Sequence, residues 1–183
     1  MQTVLLLLPV ASYRNEDFLD AAQALGVEVI TVADYCPQLA PGWGLAPMLA
    51  VPFDQPAVAV EAVTRHLQAK PDAVLAVDDH GLELAALLRE RLGLPGNPVS
   101  AVMQTRDKLA FRQLLRDGGL PCPAFHHLPH DAALDQWAER IEYPAVVKPR
   151  RLSSSRGVAR VDNPREFVAA AQRTRQIQGR ADR

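Results

Sequence analysis

Residues 3–8 form an apolar run of strand length that stops at Pro9, the pattern of a strand buried on both faces of a parallel sheet. Helical spacing follows. Asn15 is placed to cap a helix, and the acidic pair Glu16 and Asp17 suits its positive end. Phe18, Leu19, Ala22 and Leu25 fall on one face before Gly26 stops the helix. Residues 27–32 read as a second strand, the Pro- and Gly-rich stretch 37–47 as a loop, and residues 48–51 as a short third strand. Pro56 opens a helix to about residue 69, and residues 73–77 form a fourth strand ending at Asp78-Asp79. Residues 82–92 carry Leu84, Leu87, Leu88 and Arg91 at helical spacing, with Gly93 to close the helix.

This alternation predicts a parallel sheet with helices on both faces. Ligands of such sheets sit at the carboxyl ends of the strands, here the loop 9–15 and the pair Asp78-Asp79. The first loop reads PVASYRN, without GxGxxG, and no GxxxxGK[ST] occurs anywhere. A conventional dinucleotide or P-loop site is therefore not expected.

After the linker LPGNPVS (94–100) the pattern changes. Thr105 is expected to cap a helix to about residue 117, with Phe111, Leu114 and Leu115 on one face. Gly118-Gly119 stops it, and Pro121 and Pro123 prevent a restart. Residues 124–128 read as a strand and 131–141 as a helix. Residues 145–148 and 158–161 read as strands around a serine-rich loop. Asn163-Pro164 begins a last helix from 165 to about 176, and the closing QIQGRADR is expected to fray. There is no internal repeat. The prediction is an α/β chain: a parallel Rossmann-like sheet domain over 1–97, then a small α+β domain over 98–183.

Composition narrows the function. The 183 residues are 48% apolar and 22% charged, with a formal net charge of -1. A core is expected, while the basic excess of a nucleic-acid or membrane-surface binder is missing. Aromatics at 5% argue against a base-stacking platform. The run 4–8 is too short to span a bilayer and lacks the flanks of a signal peptide, so a cytoplasmic location is expected. Cys36 and Cys122 have no CxxC spacing and read as free thiols. His126 and His127 would point to opposite faces of a strand, and no acidic residue joins them and His130 in a metal set. No Ser-His-Asp or Cys-His arrangement is evident, so no catalytic residue is assigned. Trp43 and Trp137 read as packing residues.

The most informative stretch is 143–161, YPAVVKPRRLSSSRGVARV. A buried strand delivers Lys148, and Pro149 forces that lysine into an extended backbone. The loop 150–157 offers backbone N–H groups and the hydroxyls of Ser153, Ser154 and Ser155, the donors a polyphosphate needs, and Arg156-Gly157 closes it. Arg150, Arg151 and Arg156 would repel one another in so short a loop without an anion. Lys108 and Arg106 stand at a helix start, where a cation costs about 0.3–1 kcal/mol unless an anion is near; Asp107 offsets part of this. Asp78, Asp79 and His80 can meet a cation or an amine, or simply form a turn cap.

Three segments in order, TRDKLAFRQLLRDGGLPCPAF, YPAVVKP and SSSRGV, together resemble the ATP-grasp superfamily. Its carboxylate–amine ligases, such as amino-acid ligases, look most similar. The resemblance implies that residues 1–92 precede the ATP-grasp fold on the substrate side, and that residues from about 105 form its first subdomain. It implies that Lys108 and Lys148 contact phosphates and that residues 153–157, Ser153, Ser154, Ser155, Arg156 and Gly157, close over the triphosphate. ATP is the implied cofactor, with magnesium held by ligands outside this chain, since no Glu-x-Asn element occurs in it. The implied reaction joins a carboxylate to an amine or thiol through an acylphosphate, acting on small molecules. Asp78 and Asp79 would face the substrate amine. The chain then corresponds to the front portion of such an enzyme and is expected to be inactive alone. Other readings stay open: a non-catalytic nucleotide- or anion-binding module, a biotin-carboxylase-like or carbamoyl-phosphate-synthase-like fragment, or a small α/β protein whose serine loop only connects. A homodimer and a single chain are equally open.

Overall fold

In the computed structural model, which describes residues 2–34 and 49–181 (side chains to residue 178), strand β1 (Thr3–Leu8) sits inside a four-stranded sheet. Its neighbours are β2 (Glu28–Ala33) and β4 (Ala73–Ala76), and β3 (Leu49–Ala50) lies beyond β2, all parallel in the order β3-β2-β1-β4. Leu5 pairs with Ile30 on one side and Val74 on the other. Side chains alternate across a strand, so β1 feeds two cores. Leu5 and Leu7 pack with Ala59 and Val63 of α2 (Pro56–His66) and with Leu84, Ala85 and Leu88 of α3 (Leu82–Leu92). Leu6 and Leu8 pack with Ala33 and Val77, against Phe18 and Leu19 of α1 (Asn15–Ala24). An apolar run without alternation is what burial on both faces requires.

Differences from the sequence pattern in this unit are local. Arg14, not Asn15, precedes α1 as its cap residue; the Asn15 amide instead donates to the Pro9 carbonyl at 2.9 Å and ties the helix to the end of β1. Helix α2 ends at His66, where Leu67 turns extended. Gly93 closes α3 in the left-handed region at φ 59°, which glycine adopts without a Cβ clash. Cys36, Trp43 and the predicted loop 37–47 lie outside the described residues.

The chain falls into two units, Met1–Met103 and Gln104–Arg183. The second contains α5 (Lys108–Asp117), α6 (Leu134–Ala138), the antiparallel pair β5 (Ala145–Val147) and β6 (Ala159–Val161), and α7 (Pro164–Ala181). Helix α4 (Val99–Arg106) spans the boundary and takes up the last residues of the predicted linker. Ala145, Val147, Ala159 and Val161 turn one sheet face toward Phe167 and Ala170 of α7 and Ala138 of α6. On β5, Val146 points away and is 57% exposed. Helix α7 starts with a reciprocal cap. The Asn163 side chain accepts from the Glu166 amide at 3.0 Å, and the Glu166 carboxylate accepts from the Asp162 amide at 2.8 Å.

Four expectations change here. Thr105 lies inside α4, an unpredicted helix, and Asp107 rather than Thr105 is the cap of α5. Residues 124–128 form no strand: Pro123 and Pro129 bound the segment closely, and among the described residues no strand pairs with it. The helix predicted over 131–141 contracts to α6. The last helix runs past 176: α7 continues to Ala181, and its Ile177 approaches Gly157. Among the described residues no helix is long and apolar enough to cross a membrane.

Replacing Leu7, which is fully buried, with Ala should destabilise the first unit by about 2–5 kcal/mol in urea unfolding. Leu25→Ala, at a side chain 78% exposed, should shift it by under ~0.5 kcal/mol. Equal effects would contradict the two-sided core described for β1.

Candidate anion-binding site

Strand β5 ends at Val147, so Lys148 emerges at a point set by the ladder with β6, and its side chain is exposed. Pro149 beneath it is buried. The serine loop then turns through Ser154 and Ser155 at φ 54° and 55°, left-handed conformations that cost L-residues energy and persist only when neighbours hold them. Here the Arg156 amide donates to the Ser153 carbonyl at 3.2 Å and the Val158 amide to the Ser155 carbonyl at 3.1 Å. The Thr174 hydroxyl of α7 donates to the Gly157 carbonyl at 3.2 Å. Gly157 has φ 73°, and a Cβ there would lie 3.1 Å from Cγ of Pro149, so both the backbone and the space call for glycine.

The base of the loop is organised by a carboxylate that the sequence pattern left in a minor role. Asp107 is 5% exposed. Its Oδ1 accepts from the amides of Leu109 at 3.0 Å and Ala110 at 3.3 Å, which caps α5. The Arg150 guanidinium grips both carboxylate oxygens, through Nε on Oδ1 at 3.0 Å and through Nη2 on Oδ2. Nε of Arg151 stands 3.5 Å from Oδ2. The Arg150 hydrogen bond is the main cause that lowers the Asp107 carboxyl from 3.8 to about 2; burial opposes it, and the capping amides help. The same pairing pushes Arg150 up.

This corrects the premise that three loop arginines lack an anion: Asp107 serves Arg150 and Arg151. Lys108 is also engaged. Its backbone N–H donates to the Arg150 carbonyl at 3.0 Å, and its ammonium donates to the Leu152 carbonyl at 2.6 Å. The second unit therefore brings Lys108, Lys148 and residues 153–157 into one stem and loop, but in different states. Among the described residues, the side chains of Lys148 and Arg156 have no hydrogen-bond or ion-pair partner. Ser154 and Ser155 are exposed beside them, and Ser153 and Gly157 are half-buried.

Asp78 and Asp79 belong to the first unit. Oδ1 of Asp78 accepts from the His80 amide at 2.9 Å and caps the short 3-10 turn Asp79–Gly81, while Asp79 is exposed. His80 Nε2 lies 3.0 Å from Oδ2 of Asp34, whose Oδ1 accepts from the Val10 amide at 2.5 Å. The acid that joins the strand ends is thus Asp34, which the sequence reading missed; its signal was an acidic residue directly after a buried strand. Trp137 packs edge-on to His126, their ring centres 6.1 Å apart. Among the described residues no group of three His, Cys, Asp or Glu is placed to hold a metal.

Asp107 yields a pH prediction with a definite sign. Its folded value lies below its ordinary one, so its contribution is present above pH ~4 and disappears as pH falls toward about 2. The shift corresponds to about 2 kcal/mol. The stability difference between the native chain and Asp107→Asn, followed by urea unfolding of the second unit, should shrink by roughly that amount between pH 5 and pH 2. A difference independent of pH would contradict the buried ion pair.

No protein-family model matches the chain. It is 34% identical over 87 residues to a D-alanine–D-alanine ligase of Pseudomonas putida, which covers 46% of this chain and 27% of the ligase. The fold matches that of an L-amino acid ligase from Bacillus licheniformis at a TM-score of 0.71 and 24% identity, over 94% of this chain and 42% of the other. It also matches N5-carboxyaminoimidazole synthetase from Staphylococcus aureus, complexed with ADP, at a TM-score of 0.65 and 17% identity, over 94% and 44% of the two chains. The chain thus spans about a quarter of the length of the curated ligase and under half of the solved ones. It is related to the ATP-grasp ligases in sequence and built like them in fold, over a part that corresponds to their N-terminal portion.

Proposed function

We propose that the second unit binds the phosphates of ATP, and that the chain is the nucleotide-binding front portion of a ligase joining a small-molecule carboxylate to an amine or thiol. One observation carries the reading. Asp107 engages Arg150 in a two-point grip and stands beside Arg151 at the loop's base, whereas Lys148 and Arg156 have no such partner among the described residues and are open to an external anion at the rim of a hydroxyl-rich loop. The relatives add support: two matched proteins bear the names of amino-acid ligases, and a third was solved with ADP.

ATP, when bound, supplies the phosphoryl group that activates the carboxylate. The chain's own residues bind and orient it. Lys148 stands as a point charge on the end of a strand, and Arg156 presents a fork suited to phosphate oxygens. Ser153, Ser154 and Ser155 donate hydroxyls, and Gly157 allows the tight return into β6. The closed loop excludes water from the reacting phosphates. Magnesium would be held by ligands outside this chain, and among the described residues no acidic cluster is placed to take it. On this reading residues 1–97 form the substrate-side domain and residues 98–183 the first ATP-grasp subdomain, working in the cytoplasm. Asp78 and Asp79, at the sheet's carboxyl edge, are offered to a substrate amine.

Calorimetry with ADP and with tripolyphosphate should show saturable binding to the native chain. Lys148→Met and Arg156→Gln should each weaken it by roughly tenfold, the scale of a lost charge-assisted hydrogen bond. Asp78→Asn should leave it unchanged. ADP binding indifferent to both cation substitutions, or no binding at millimolar ligand, sinks the proposal.

A further inference from the structure

We infer that Thr174 of α7 is a positioning residue of the anion site: its hydroxyl pins the neck of the serine loop, where Lys148 and Arg156 leave the backbone. The inference rests on the phosphate reading of those two cations and names the group that holds them in register.

The neck is narrow. The β5–β6 ladder ends with Val147 opposite Ala159. Two residues further out Pro149 meets Gly157: a Cβ on Gly157 would lie 3.1 Å from Cγ and 3.4 Å from Cδ of Pro149. Lys148 is joined directly to Pro149, and Arg156 directly to Gly157. Whatever fixes this contact therefore fixes how far apart the two cations start. Helix α7 closes on the same glycine. Cδ1 of Ile177 stands 3.4 Å from the same Cβ position, and the Thr174 hydroxyl donates to the Gly157 carbonyl at 3.2 Å. That carbonyl and the Val158 N–H belong to one planar peptide unit. The Val158 N–H donates to the Ser155 carbonyl at 3.1 Å. One rigid plane is thus held at both ends, by α7 and by the loop itself.

Thr174 also stands out on the helix face that carries it. Phe167, Ala170, Ala171 and Thr174 recur at helical spacing and are all buried. Phe167 and Ala170 belong to the apolar core under β5 and β6, whereas Thr174, 7% exposed, brings a hydroxyl into that row. A buried hydroxyl is unfavourable unless it is hydrogen-bonded, and valine would have the same shape without that demand. The bond that meets the demand goes to the last residue of the loop. Among the described residues the buried polar side chains are Asp107 and Thr174. Each holds one end of the same loop, Asp107 through Arg150 at its entry and Thr174 through Gly157 at its exit.

The test follows tripolyphosphate binding by calorimetry, and amide hydrogen exchange at Val158, in the 183-residue chain. Thr174→Val keeps the shape of the side chain and removes the donor. It should weaken tripolyphosphate binding by roughly fivefold, the scale of one net hydrogen bond, and speed Val158 exchange by a similar factor. The amides of β6 and α7 should keep native rates. Thr174→Ser keeps the donor and should bind as the native chain does. A residue that served packing alone would give the opposite order, with Thr174→Val native and Thr174→Ser impaired. If Thr174→Val also loosens β6 and α7, the comparison of Thr174→Ser with Thr174→Ala decides: both lose the methyl group, only the second loses the donor, and only the second should bind more weakly. Native affinity in Thr174→Val with native exchange in β6 and α7, or equal affinities in Thr174→Ser and Thr174→Ala, would overturn the inference. A native chain that fails to bind tripolyphosphate removes the phosphate reading instead, and Val158 exchange then decides alone whether Thr174 holds the neck.

Discussion

The second unit is organised around one buried carboxylate. A charge as enclosed as that of Asp107 is tolerated only when its oxygens are fully engaged, because the cost of desolvation is otherwise several kcal/mol. Engagement comes from two helix amides and a guanidinium 43 residues away in sequence. Three structural facts depend on that one group: where α5 begins, where the loop stem lies, and which cations remain unpaired. Removing the side chain would alter all three at once, whereas asparagine in its place would keep the helix cap and lose the grip on the guanidinium.

The first unit is built on a different constraint. Its sheet is covered on both faces, so β1 must be apolar throughout, and polar groups are confined to the strand ends. There Asp34 joins the end of β1, through the Val10 amide, to the turn after β4, through His80. The acids at this edge are thus engaged with protein groups: Asp78 caps its own turn, and Asp34 bridges two loops. Asp79 is exposed beside them, so of the two acids proposed for the substrate amine it is the more accessible.

Legibility in the sequence followed the range of the interactions. The parallel strands, α3 and its glycine stop were evident because local period and local turn chemistry decide them, as at Leu82–Leu92 and Gly93. Lys148 at a strand end and the glycine at 157 were evident for the same reason. The cap of α5 was misplaced at Thr105 because two candidates two residues apart, Thr105 and Asp107, satisfy the same local rule. What selects Asp107 is Arg150, a partner that no window of neighbouring residues contains. The segment 124–128 looked like a strand by composition, but strands need a neighbour to pair with, and among the described residues none is there. The serine loop's charge excess is real in sequence and only partly offset in space, by the single charge of Asp107.

The central claim is that nucleotide phosphates dock on Lys148, Arg156 and the serine loop. The most direct measurement is a two-dimensional amide NMR titration of the whole chain with ADP. The account predicts saturable shifts concentrated on residues 148–158, with the amides near Asp34 and Asp78 unmoved. Shifts confined to the first unit, or none at the loop as ADP reaches saturation elsewhere, would contradict it.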